Sequence, residues 1–145
     1  MSRKALLALS LILVATLTSV AQTVPDKVVK PDPQAIAAAA QWLAIVDSGR
    51  YAQSYWALTA RIRAGGQTGE QEWVSFLKAR RAPLGRPISR ALYRARFNTT
   101  IPVGPDGRYE FLDYKTKFQR KAQGLEIVTL TKETGQWEMS GYHFK

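Results

Sequence analysis

Cysteine is absent from this sequence, and histidine occurs once, at His143. The first absence excludes disulfides, thiolate zinc sites and thiol nucleophiles, so a domain of this size must draw its stability from hydrophobic burial. The second leaves no histidine pair to hold a metal. Cofactor signatures are missing as well: Gly65-Gly66 lacks the lysine and strand context of a phosphate loop, and no nucleophile-elbow sequence accompanies the serines. No cofactor and no metal is expected. Acid is scarce in one place, since residues 73–105 contain neither Asp nor Glu.

That acid-free zone holds a concentrated run of base. Lys78, Arg80, Arg81, Arg86, Arg90, Arg94 and Arg96 crowd the stretch KARRAPLGRPISRALYRAR, within a chain whose net charge is +10. Such a balance favours anionic partners by long-range attraction and says nothing about fold. Nucleic acid is disfavoured, because the charges fall on three successive elements and the aromatics Tyr93 and Phe97 alternate with the arginines instead of sharing a face with them. Cations at a helix C-terminus, where Lys78, Arg80 and Arg81 are expected, also oppose the helix dipole.

The N-terminus carries Arg3 and Lys4, then an uncharged, mostly apolar run over residues 5–20, then small residues at Ser19 and Ala21. This is the layout of a secretory signal peptide cleaved after Ala21, which places the mature protein in the periplasm or outside the cell. The run is too short and too rich in Ser and Thr for a membrane span. Residues 1–21 are thus read as signal peptide, 22–32 as a flexible leader and 33–145 as one domain.

Within that domain Asp32 is placed to cap a helix with Pro33 in its first turn, and apolar Ile36, Ala40 and Leu43 repeat at helical spacing. Gly49 closes this helix, and a second runs over residues 51–59. Thr68 and Gln71 have capping-box separation ahead of a third helix striped by Trp73, Phe76 and Leu77, which Ala82-Pro83 stops. Period-two alternation follows over residues 88–99, 109–120, 125–132 and 136–144, with Pro105-Asp106-Gly107 as turn chemistry. Three helices ahead of four strands predict an α+β domain, with the helices covering one face of a curved four-stranded antiparallel sheet. Parity assigns Ser89, Ala91, Tyr93, Ala95 and Phe97 to the helix side and Arg90, Leu92, Arg94 and Arg96 to solvent. Arg90, Arg94 and Arg96 are therefore the expected anionic contact.

Acid–base chemistry has few candidates. Glu110 shares parity with Leu112 and Tyr114, the facing of Glu126 is open, and His143 shares parity with Trp137 and Met139, toward the helices. Asp113 shares parity with Lys115 and Lys117, and a solvated ion pair is expected there. A buried carboxyl with a raised pKa could move a proton, so Glu110, Glu126, Tyr114 and His143 form the catalytic alternative.

The segments WLAIVDSGRYAQSYW, Trp73 with Arg81, Leu84-Gly85, Arg90, PDGRYEFLDYKTKF and WEMSGYHFK together resemble the bacterial exported family known as domain of unknown function four thousand and nineteen. Arg94, Arg96 and Arg120-Lys121 are extra basic decoration. The resemblance implies no established activity. The order of elements also resembles the nuclear transport factor two-like, or cystatin-like, cone, and that likeness implies a pocket lined by Trp42, Tyr55, Tyr93, Tyr114 and Trp137. The expected function is an exported non-enzymatic module that binds an apolar ligand, a protein partner or an anionic envelope component. The alternative is a small-molecule lyase or isomerase with a carboxylate acting in the cone.

Overall fold

A computed structural model describes residues 27–65, 69–102 and 104–145. The expected signal peptide lies outside these residues, as does Thr68 of the expected capping box. Helix α1 (Pro33–Asp47) starts as its sequence dictates: Asp32 accepts the Gln34 amide through Oδ1, and Pro33 occupies the first turn. Its buried stripe is Ala35, Ala39, Trp42, Leu43 and Val46, so the expected Ile36 is only partly covered and Ala40 is exposed. Gly49, at φ 76°, reverses the chain after α1.

The second predicted helix is two. Helix α2 (Tyr51–Trp56) stops before Leu58, because the Thr59 amide leaves the helical pattern to donate to the Met139 carbonyl at 2.8 Å. Thr59 then caps α3 (Ala60–Ala64) by accepting the Ile62 amide. Helix α4 (Glu70–Arg80) begins at Gly69, whose amide donates to the Glu72 carboxylate. The sidechain that turns back to this helix start is thus Glu72, where Gln71 was expected. A single 3-10 turn, Ala82–Leu84, ends the helical half at Pro83.

The sheet has five antiparallel strands in sequence order, one more than expected: β1 (Lys27–Val28), β2 (Pro87–Asn98), β3 (Tyr109–Phe118), β4 (Lys121–Thr131) and β5 (Glu138–Phe144). Strand β1 lies inside the segment read as a leader and pairs Lys27 with Phe97 and Val28 with Arg96. Two residues carry no readable alternation. The helices pack on one face of this sheet, where Leu112, Tyr114, Val128, Leu130, Met139 and Tyr142 meet Trp42, Leu43, Val46 and Leu77 in the core. Among the described residues no helix covers the other face. Among the described residues no helix is long and apolar enough to cross a membrane.

Two register shifts decide which side chains face which way. Leu92 pairs with Tyr114 and Arg94 with Asp113, so Tyr93 is bulged out of β2. Thr129 pairs with Gly141 and Leu130 with Met139, so Ser140 is bulged out of β5. Each bulge reverses the alternation that follows it.

Candidate functional site

Upstream of its bulge, β2 turns Arg90 and Leu92 toward the helices. This corrects the solvent assignment of Arg90. The guanidinium lies between two carboxylates: Nη1 and Nη2 donate to Asp47 at 2.8 and 3.0 Å, and Nε and Nη2 donate to Glu126 at 2.6 and 3.2 Å. Burial works against its charge, but its hydrogen bonds to both acids, with their negative charges, outweigh this and hold its pKa above the ordinary value. Asp47, at the end of α1, also accepts Arg81 Nη2 at 2.7 Å. Arg81, the residue after α4, donates through Nη1 to the Gly85 carbonyl and lies over the Phe118 ring. Leu84-Gly85 and Arg81 therefore act together, and Gly85 adopts φ 77°, a conformation that favours glycine.

Glu126 is fully buried and saturated. Besides Arg90, it accepts the Thr116 hydroxyl on Oε2 and the Tyr142 hydroxyl on Oε1, each at 2.5 Å. Burial, with the adjacent Glu126 charge and this hydrogen bond, keeps the Tyr142 phenol protonated far above its usual range. Two guanidiniums and two carboxylates thus form a neutral group that ties the ends of α1 and α4 to β2, β3, β4 and β5. Burial of these charges is tolerable only because each has its counter-charge and hydrogen bonds.

The other catalytic candidates divide between the two faces of the sheet. Glu110 does face the helices, where Oε1 accepts the Asp32 amide at 2.9 Å, and burial raises its pKa. Tyr114 is packed in the core, and burial foremost raises its phenol to about 12. His143 pairs with Ile127 on the uncovered face and is exposed, because the bulge at Ser140 breaks the parity that predicted otherwise. Tyr114 lies opposite Glu126 in the ladder, but His143 is on the other face of the sheet, so the four groups do not share one face. Of the pocket candidates, Trp42, Tyr55, Tyr114 and Trp137 fill the space between helices and sheet as core, with indole hydrogen bonds from Trp42 to the Ser54 carbonyl and from Trp137 to Asp32. Tyr93 is 58% exposed on the opposite face.

The uncovered face carries a second ion group. Asp113 is fully buried, not solvated, and binds Arg94 Nε and Arg96 Nη2, each at 2.8 Å. Arg94 and Arg96 so spend charge on an internal partner, although the Arg94 side chain keeps 44% of its surface exposed. Beside them the sheet forms a shallow concavity of about 740 Å³, lined by Ser89, Ala91, Tyr93, Lys115, Lys117 and Lys145 among others. Lys115 Nζ lies 3.8 Å from the centre of the Tyr93 ring. Lys115 and Lys117, expected to pair with Asp113, are instead presented to solvent here together with Lys145. Their alternation on 109–120 was readable, but the small residues opposite them were assigned to the wrong face. No cluster of three or more His, Asp or Glu that could hold a metal occurs among the described residues.

A family model described as Protein of unknown function (DUF4019) matches residues 38–142. No curated protein and no solved structure matches the chain.

Replacing Glu126 with Leu leaves Arg90 and Arg81 sharing the single charge of Asp47 and is expected to cost about 3–5 kcal/mol in urea unfolding, against about 1 kcal/mol for Tyr142→Phe, which removes one hydrogen bond. Equal small losses would contradict the network. Glu110 behaves oppositely to a paired acid. Its raised folded pKa means that its contribution is full below the ordinary 4.5 and declines as pH rises through the folded value. Glu110→Gln should therefore be more stable than the parent at neutral pH, with the difference vanishing below pH 4.5; a difference independent of pH would refute this.

Proposed function

The chain belongs to the DUF4019 family, and from that footing we propose that it is an exported, non-enzymatic binding module that engages an anionic partner through the sheet face left uncovered by its helices. The observation that carries this reading is the concavity lined by Lys115, Lys117 and Lys145, with no Asp or Glu among its lining residues. Focused positive potential over a concave surface raises the local concentration of an anion and speeds its encounter. The exported location rests on the N-terminal sequence pattern. The cone-like layout rests on helices preceding an antiparallel meander and covering one of its faces.

The apolar-ligand and lyase or isomerase readings have less support. The aromatics that would line a cone pocket pack against one another, with Trp42 and Tyr142 ring centres 5.0 Å apart. Every lone-pair direction of the Glu126 carboxylate has a donor, so it has no site left for a substrate proton. Arg90 also leaves the proposed contact, since its charge is matched by Asp47 and Glu126.

Binding of the mature chain to phosphatidylglycerol vesicles and to polyglutamate, followed as a function of salt, tests the proposal. Affinity for at least one probe is expected to fall with ionic strength, and Lys115→Glu with Lys117→Glu to weaken it about tenfold. Binding unchanged by the reversals would overturn the assignment of this face.

A further inference from the structure

Strand β2 is far longer than the strand that covers its outer edge. Pairing with β1 reaches only Phe97 and Arg96, and one more bond joins the Val29 amide to the Ala95 carbonyl. Over residues 87–94 that edge has no strand partner among the described residues. Edge amides and carbonyls are a template for another chain unless something blocks them. Here Pro87 and a register shift at Ile88 stand at one end and the Tyr93 bulge at the other, while Ser89 to Leu92 keep a regular ladder with β3. Ile88 and Tyr93, 61% and 58% exposed, flank this ladder with apolar surface.

The chemistry next to the edge selects the occupant. Ser89 pairs with Lys117 and Ala91 with Lys115, and these small side chains separate the open edge from both lysines. A strand added to β2 would lie two strand spacings, roughly 10 Å, from β3. A glutamate and a lysine reaching toward each other over a serine or alanine can close that gap. Lys115 already leans to this side, over Tyr93. The carboxylates that face β2 do not compete: Asp47 and Glu126 are bound to Arg81 and Arg90, and Asp113 to Arg94 and Arg96. A second copy of the chain is a poor occupant. Pairing β2 with itself would bring Arg86, Arg94 and the lysines of each copy together, and like charges facing each other across strands are destabilising.

We propose that residues 88–93 of β2 accept an extended acidic segment of a partner protein as an added strand, its alternate carboxylates meeting Lys115 and Lys117 across Ala91 and Ser89. This rests on the anionic-partner reading above and names the form of the partner. Backbone pairing supplies affinity that is independent of sequence, and the alternating acids supply selection.

A short synthetic peptide alternating glutamate and threonine, titrated into the isotope-labelled mature chain, tests it. The expected results are slowed amide exchange at Arg90 and Leu92, whose backbone groups alternate with those bonded to β3 and so face the open edge, and about tenfold weaker binding when alternate peptide amides are N-methylated, with no change made to the protein. Lys115→Gln with Lys117→Gln should weaken the unmethylated peptide by a similar factor. Equal binding of methylated and unmethylated peptides would overturn the added strand. Binding to phosphatidylglycerol vesicles without binding to the peptide would overturn it too, yet leave the anionic-partner reading intact. Failure of vesicles, polyglutamate and peptide alike would remove both.

Discussion

The Arg90 guanidinium sits between Asp47 and Glu126, and the rest of the fold is arranged so that it can. A buried cation must find counter-charge within reach, and the two acids come from opposite sides, one from the end of α1 and one from the middle of β4. Once Asp47 is committed, Arg81 at the end of α4 completes it, so both long helices finish at the same point over the sheet. Tyr142 and Thr116 occupy what remains of Glu126. Hydrophobic burial supplies most of the cohesion in a chain without disulfides, but it is indifferent to small slides of helix on sheet. The directional bonds of the ion group are not.

The same arrangement distributes the charge of the basic stretch. Arg81 and Arg90 turn inward, and Arg94 and Arg96 are held by Asp113 on the far face. Charge concentrated in sequence is therefore divided in space. The solvent-facing cations that line the concavity beside β2 are Lys115 and Lys117 of β3 and Lys145 after β5. A local count of arginines overstates the anion-binding power of β2 and overlooks that of β3. The covered side of the sheet is a packed core, and the lysines beside β2 lie on the other side.

Much of the chain order was legible. The Asp32-Pro33 start, the Gly49 reversal, the Pro83 stop and four of the five strands all follow from local rules whose physical causes operate within a few residues. Facing was less legible, because alternation predicts it only while the ladder is unbroken. The bulge at Tyr93 reconciles an inward Arg90 with an inward Ala95, and the bulge at Ser140 turns His143 outward; neither position carries the glycine that would have marked it. The break between α2 and α3 depends on a carbonyl at Met139, far along the chain, and β1 is only two residues long. Asp47 looked like a helix end and Tyr142 like another strand aromatic. Their shared role exists only once the helices and the last strand are brought together.

The most direct test of the account is to observe the guanidinium groups themselves. In nuclear magnetic resonance spectra of the arginine side chains near neutral pH, Arg90 and Arg81 should show resolved Nη protons, shielded from solvent exchange and arrested in rotation by their carboxylate partners. Exposed Arg86 should show a single averaged, rapidly exchanging signal. If Arg90 and Arg81 exchanged and rotated as freely as Arg86, the ion group would not exist in solution, and the explanation of how helices and sheet are brought together would fail with it.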